Sequence, residues 1–496
     1  MHIYQFRRDL DVKEKVTDNL LSAQKDNVVQ SKKTLKQRAI ILSGGGALGA
    51  YQVGVLKTLS KRLRQQDKEK GDNDRLLFDI VAGTSIGAMN GAVLVSQYLE
   101  TRDWQVAIEQ LEQFWINKKK GLASTPSKQE LERTEVWKKW HEVSKKRNTP
   151  SYVASVEAAR RYYSVRHYYF HGAPKVHEIL KPFPRPDLRF FDNLNSWFIH
   201  SSEPLKKTIL NFAKRQIATS PEKNEPRLLV FAVDAAEGET VTFDSYTKAD
   251  NSRKSEYGKH TKKKGYENVI KYDGGVNIDH IMASGTLPEF YDYKVIDGHK
   301  FWDGGLLSNT PFREVLQAYH EYWVDVVLPQ PGKVNNIDLP ELEVYVVNLH
   351  PPKHQDLPTD HDGVLDRRND MIFGDRTSHF DQRQQFLVTD LQDFATQMKD
   401  LSEVAISKLS KESDKKILNK KFEKILARPA SNKDFKHQYD TYDDLLKIHY
   451  KLTKVVRIER TEYTDAISGK TGDFTAKTIN QLISEGAKDA TKVSLK

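Results

Sequence analysis

Residues 40–54 read IILSGGGALGAYQVG, and their interpretation decides the fold. The apolar, branched run at 38–43 ends at three consecutive glycines, and Val53, Leu56 and Leu59 then recur at helical spacing across 50–63. This is the pattern of a buried strand, a tight turn and a helix. A glycine-rich turn at the start of a helix offers bare backbone amides beside a positive helix end. It suits a cofactor's phosphates or the oxyanion of an acyl transfer.

A second unit of the same shape follows: a strand in RLLFDIVA (75–82), a turn in GTSIG (83–87) and a helix in AMNGAVLVSQYL (88–99). Further strands are predicted at 227–235, at 238–246 near a sheet edge, within 294–305 and at 342–350. Strands alternating with helices imply an α/β fold of three layers, α/β/α, with a mainly parallel central sheet. The sequence divides into a polar N-terminal arm at 1–36, an α/β domain at 37–350 and a mainly helical C-terminal extension at 351–496. That extension closes with a strand at 455–463 and a helix at 475–490, and so has α/β character itself. Within it Leu387, Leu391, Phe394, Met398, Leu401 and Ala405 mark a long amphipathic helix, expected to pack on its own domain. The domain is interrupted at 119–226 by a charged, helical and aromatic insertion, whose side chains suit a membrane interface or else a small satellite core.

The chain of 496 residues has no cysteine and a net charge of +10. Disulfides, thiolate metal sites and a cysteine nucleophile are excluded, so a nucleophile here is an oxygen or a nitrogen. No apolar run approaches the roughly 18 residues of a membrane span. The first 21 residues lack the apolar core of a secretory signal. A cytoplasmic protein, peripheral to the membrane, is the expectation. Basic clusters at 117–121, 145–148, 259–265 and 418–424 read as solvated faces, and the overall positive charge favours anionic lipid. No nucleic acid partner is expected. His350, His354 and His361 follow no ligand spacing and read as part of a solvated loop, so no metal is expected.

Gly44, Gly46 and Gly49 match G-x-G-x-x-G, but the next strand carries no acid at its tip for a ribose. This argues against a dinucleotide-binding oxidoreductase. That tip instead carries G-x-S-x-G as Gly83-Thr84-Ser85-Ile86-Gly87, which presents the Ser85 hydroxyl on a sharp strand-to-helix turn. The amides of Gly44, Gly45 and Gly46 are then candidate oxyanion donors. A serine nucleophile needs a proton acceptor. Asp303 follows a short strand and precedes Gly304 and Gly305, whereas the second DGG, at Asp273, lacks that strand and reads as a surface turn. A Ser/His/Asp triad on an α/β-hydrolase fold is the alternative, but His320, His350 and His379 do not sit in a persuasive turn after a late strand.

SGGGALG, GTSIG and DGG, in this order, together with MASGTLPEFYDYKVIDGHKFWDGG (282–305), resemble the signature motifs of the patatin-like phospholipases. The resemblance covers about 38–350 without the insertion. It implies a lipid acyl hydrolase that works through a Ser/Asp dyad and an acyl-enzyme, with Ser85 as nucleophile and Asp303 as base. Gly44, Gly45 and Gly46 would form the oxyanion hole, supported by Gly49, Gly83, Gly87, Gly304 and Gly305. No cofactor is implied. The substrate would be lipid at a membrane surface, with anionic phospholipid meeting the 119–226 insertion; a catalytically inert membrane-binding relative is the remaining alternative. Leu48 stands where many members of that family carry a basic residue. A carboxylate with an ordinary pKa of about 3.9 is a weak base, so this chemistry further requires a partly desolvated Asp303.

Overall fold

The computed structural model describes residues 36–124, 150–180, 200–258, 267–288, 290–323, 340–353, 357–375, 378–428, 452–461 and 467–495, with four isolated positions between 131 and 140. The arm predicted at 1–36, apart from Lys36, and the basic clusters at 145–148 and 259–265 lie outside the described residues.

The principal strands are β1 (Lys36–Leu42), β2 (Ile80–Thr84), β3 (Arg227–Asp234), β4 (Glu239–Asp244), β5 (Lys294–Ile296), β6 (His299–Asp303), β7 (Glu341–Asn348) and β8 (Leu452–Glu459). They form one sheet in the order β5-β6-β3-β2-β1-β7-β8, with β4 also paired to β3. β3, β2, β1, β7 and β8 run parallel, and the central β1, β2 and β3 carry the apolar runs of strands covered on both faces. β1 is the switch point, because the chain winds outward to β2 on one side and later to β7 on the other. Loops after the carboxyl ends of strands at such a point frame the usual binding crevice of an open α/β sheet.

The principal helices are α1 (Ala50–Lys70), α2 (Ile86–Thr101), α3 (Trp104–Ile116), α4 (Pro150–His171), α5 (Phe312–Glu321), α6 (His361–Phe373), α7 (Ser378–Ser407), α8 (Glu412–Leu426) and α9 (Ala476–Lys492). Alternate strand residues point to opposite layers. Ile40, Leu42, Val81, Val230 and Val347 meet α1, α2, α3 and α9, while Ala39, Ile41, Ala82, Phe231 and Val346 meet Phe312, Val315 and Tyr319 of α5. The three-layer α/β/α arrangement with a mainly parallel sheet is the one predicted.

The chain beyond residue 350 is part of this body. β8 pairs with β7 along the sheet edge, and α9 lies across α1. Two glycines set how closely those helices cross: a Cβ on Gly54 would run into the backbone of Ile483, and one on Gly486 into the backbone of Tyr51. We expect Gly54→Ala to lose about 3 kcal/mol or more of stability, since the obstacle is backbone and not a side chain that can rotate away. Denaturant unfolding checks this. A variant as stable as the parent would mean that α9 does not sit on α1 in this way.

The insertion also joins the main core, through Val176, Leu205, Ile209, Phe212 and Ile217. It leaves Tyr162 and Phe170 of α4 exposed, with the Arg166 guanidinium 5.7 Å from each ring. α7 differs from its expectation. Leu387, Leu391, Phe394, Met398 and Leu401 are exposed among the described residues, because only the start of the helix reaches the body, at Phe386 and through Gln382 to Arg457. Among the described residues no helix is long and apolar enough to cross a membrane.

Candidate functional site

Register explains why a serine and an aspartate 218 positions apart meet. Thr84, the last residue of β2, pairs with Phe231 of β3 in parallel, and Asp303, the last residue of β6, pairs with the next position, Ala232, in antiparallel. β4 occupies the other edge of β3 at both positions. β2 and β6 therefore share one edge end to end, and their tips abut. Ser85 follows Thr84 directly, and its Oγ donates a 2.7 Å hydrogen bond to Asp303 Oδ2.

Ser85 has φ 56° and ψ −125°, a conformation that an L-residue adopts only under constraint. It opens α2, with Gly83 behind it in β2 and Gly87 in the first helical turn. A Cβ on Gly87 would strike the carbonyl of Leu42, so only glycine lets α2 start this close to β1. The Ser85 amide is held by Ser284 Oγ at 2.8 Å, and that hydroxyl donates to Phe231 O at 2.5 Å. The strained turn is thus pinned to β3.

Asp303 is 5% exposed, and both carboxylate oxygens are engaged: Oδ2 by Ser85 and Oδ1 by the Gly305 amide at 2.7 Å. Burial pushes its pKa up to about 6, against the opposing effect of those two hydrogen bonds. Gly304 and Gly305 carry the chain out of β6 into a short helical turn, Gly305–Ser308. Tyr291 lies near enough to Asp303 for the carboxylate charge to add to burial in raising the phenol's pKa to about 12.

The three glycines after β1 behave differently from one another. Gly44 is buried, and its amide is spoken for: it donates to Asn309 Oδ1 at 3.1 Å and to Asn309 O at 3.3 Å, while Asn309 Nδ2 returns a 3.2 Å bond to Gly44 O. Gly45 and Gly46 are partly exposed, and among the described residues their amides meet no acceptor. Gly46, at φ 55°, turns the chain into the 3-10 turn Gly46–Gly49 that leads to α1, so both free amides lie at the helix's positive end. Gln52, Asn90 and Trp115 support this turn from below through a buried chain of hydrogen bonds that includes Ser43 O and Gly49 O. Leu48 is buried in the core, where its side chain is 2% exposed.

The remaining candidates fall elsewhere. Asp273 is exposed in a turn, where it accepts from the Arg253 amide. His320 lies on α5, the side chain of His379 and all of His354 are outside the described residues, and His361 begins α6. His350 departs from its predicted solvated loop: it is 2% exposed and bonded through Nδ1 to Asp370 Oδ1 at 3.0 Å, because α6 folds back over the end of β7. Among the described residues no group of three or more His, Cys, Asp or Glu side chains could hold a metal ion. Ser284 and Asn309 stand in the motif-bearing stretches, yet their roles escape sequence reasoning, because each acts on backbone hundreds of positions away.

A family model described as patatin-like phospholipase matches residues 40–316. No curated protein matches the chain. Among solved structures, VipD from Legionella pneumophila is similar over 91% of this chain and 67% of its own, at 13% identity and a TM-score of 0.25.

Proposed function

Because the chain belongs to the patatin-like phospholipase family, we propose that it is a lipid acyl hydrolase in which Ser85 and Asp303 form a catalytic dyad. The observation that carries this reading is the 2.7 Å bond from Ser85 Oγ to Asp303 Oδ2. Asp303 takes the hydroxyl proton as Ser85 Oγ attacks the carbonyl carbon of a fatty-acyl ester. The resulting oxyanion is held by the amides of Gly45 and Gly46. Gly44 supports that loop through Asn309, and its own amide is not a free donor. Collapse of the tetrahedral adduct breaks the ester C–O bond, and Asp303 returns the proton to the departing alcohol. Water, deprotonated by Asp303, then attacks the acyl-serine; the acyl C–Oγ bond breaks, the fatty acid leaves, and Asp303 returns the proton to Ser85 Oγ.

A buried carboxylate suits this cycle. With a pKa near 6 it is ionised at neutral pH and is a stronger base than an exposed aspartate. The membrane-facing part of the reading rests on α4, whose exposed Tyr162, Arg166 and Phe170 are the side chains expected to seat at a lipid interface. Incubation with mixed phospholipid vesicles, followed by product analysis, tests the function. Free fatty acid and lysolipid are expected from the parent chain, and no release above blank from the parent would overturn the assignment. Replacing Tyr162, Arg166 and Phe170 together by serine is expected to weaken vesicle binding about tenfold while leaving hydrolysis of a small soluble ester within about twofold. Equal loss of both would place these side chains in the site and not at an interface.

A further inference from the structure

The free amides of Gly45 and Gly46 belong to a loop that also leans on the far end of the chain. A Cβ on Gly46 would overlap the carbonyl oxygen of Thr471, and one on Gly45 would stand 2.9 Å from Leu349 Cδ1 and 3.4 Å from His350 Nε2. Thr471, in the segment 467–475, therefore forms a wall against one glycine, and Leu349 together with the His350 imidazole forms a floor under the other. Both supports are tied to one buried charge. Lys470 Nζ, 4% exposed, sits 3.1 Å from Asp366 Oδ1 and 2.8 Å from Asp370 Oδ1, and Asp370 in turn holds His350 Nδ1 at 3.0 Å. Burial keeps the imidazole neutral by lowering its pKa. A neutral ring has one proton, and its place is on Nδ1, facing the Asp370 carboxylate.

The segment is fastened at further points. The Ser468 amide donates to Asp362 Oδ2 at 3.1 Å, Asn369 Nδ2 donates to Ser468 O at 3.2 Å, and Phe474 stacks between Trp115 and Tyr168. Burying an ammonium between two carboxylates is a costly way to fix a surface loop, and such a cluster is weak evidence for stability alone. Its reach to Gly45 and Gly46 gives it a further task.

We propose that Lys470, Asp370 and His350 are positioning residues that hold the Gly45 and Gly46 amides in oxyanion-binding geometry. This rests on the reading of those amides as oxyanion donors. The network touches no substrate. It acts by fixing where two N–H groups point, and a misplacement of about 1 Å in such a group can cost about a hundredfold in rate.

The test compares the full chain with Lys470→Met, Lys470→Arg and His350→Asn on a short-chain soluble ester and on a fluorophosphonate that captures Ser85. His350→Asn keeps a donor for Asp370 and removes the ring beneath Gly45. In Lys470→Met and His350→Asn we expect kcat to fall about a hundredfold with KM changed less than about threefold, and fluorophosphonate capture to slow by the same factor. Lys470→Arg should recover most of the loss. A folded Lys470→Met or His350→Asn variant with kcat within about threefold of the parent overturns the proposal, as does a loss of activity that merely tracks the unfolded fraction. If Lys470→Met does not fold, His350→Asn decides. A parent chain that neither hydrolyses the ester nor takes the fluorophosphonate overturns the hydrolase reading itself. An active parent with unaffected variants overturns only the role given to the network.

Discussion

Ser85→Ala is expected to lose acyl-ester turnover by about ten-thousandfold or more, and with it all covalent capture by fluorophosphonate. The size follows from what the side chain supplies. Without Oγ there is no acyl-enzyme, and what remains is water attacking an ester near two free amides. The fold should tolerate the change, because the Ser85 amide keeps its bond to Ser284 and the helix that follows is buried on all sides. Turnover in a folded Ser85→Ala variant at even a tenth of the parent rate would place the nucleophile elsewhere.

Asp303→Asn should lower kcat by about a thousandfold and, at the same time, stabilise the protein. The second half follows from burial. The folded-state pKa lies near 6, above the ordinary 3.8, so the folded chain binds this proton more tightly than the unfolded chain does. The group's favourable contribution is complete below about pH 4 and is lost as pH rises through about 6. At neutral pH the ionised carboxylate therefore costs on the order of 3 kcal/mol, and a neutral amide removes that cost, its oxygen still accepting from the Gly305 amide while its NH2 donates to Ser85 Oγ. Thermal unfolding should show a higher Tm for the variant at pH 7 and no difference near pH 4. The same titration sets the pH profile of the parent: only the carboxylate accepts a proton, so kcat/KM should fall as pH drops through about 6. Full activity at pH 7 in a folded Asp303→Asn chain would remove the base from the mechanism.

The meeting of Ser85 and Asp303 is legible in the sequence because each lies at a strand tip beside glycines, where local pattern and chemistry coincide. The parallel sheet was equally legible, since unbroken apolar strands alternating with helices leave little choice of architecture. What the sequence did not reveal depends on partners distant in the chain. Nothing around Gly44 says that Asn309 will occupy its amide, and GGG reads as three equal donors until that bond is seen. His350 was misplaced for a related reason: a polar loop rich in proline and aspartate looks solvated, yet Asp366 and Asp370 recur one helical turn apart on α6 and turn inward to meet Lys470. The apolar stripe of α7 was recognised correctly as a pattern, but periodicity states only that a face is apolar and not what lies against it.

The order in which the chain supplies its parts bears on its synthesis. β8, α9 and the wall against Gly46 are all drawn from residues after 450, so they can dock only once synthesis has passed that point. A nascent chain stalled at residue 350 would carry the serine and the aspartate but would leave the outer edge of β7 bare and α1 without its covering helix. Such a fragment invites strand-to-strand aggregation. On the hydrolase reading, a chain made only as far as residue 350 holds its serine and aspartate without the wall behind its oxyanion amides, so lipid cleavage waits for the segment that follows residue 450.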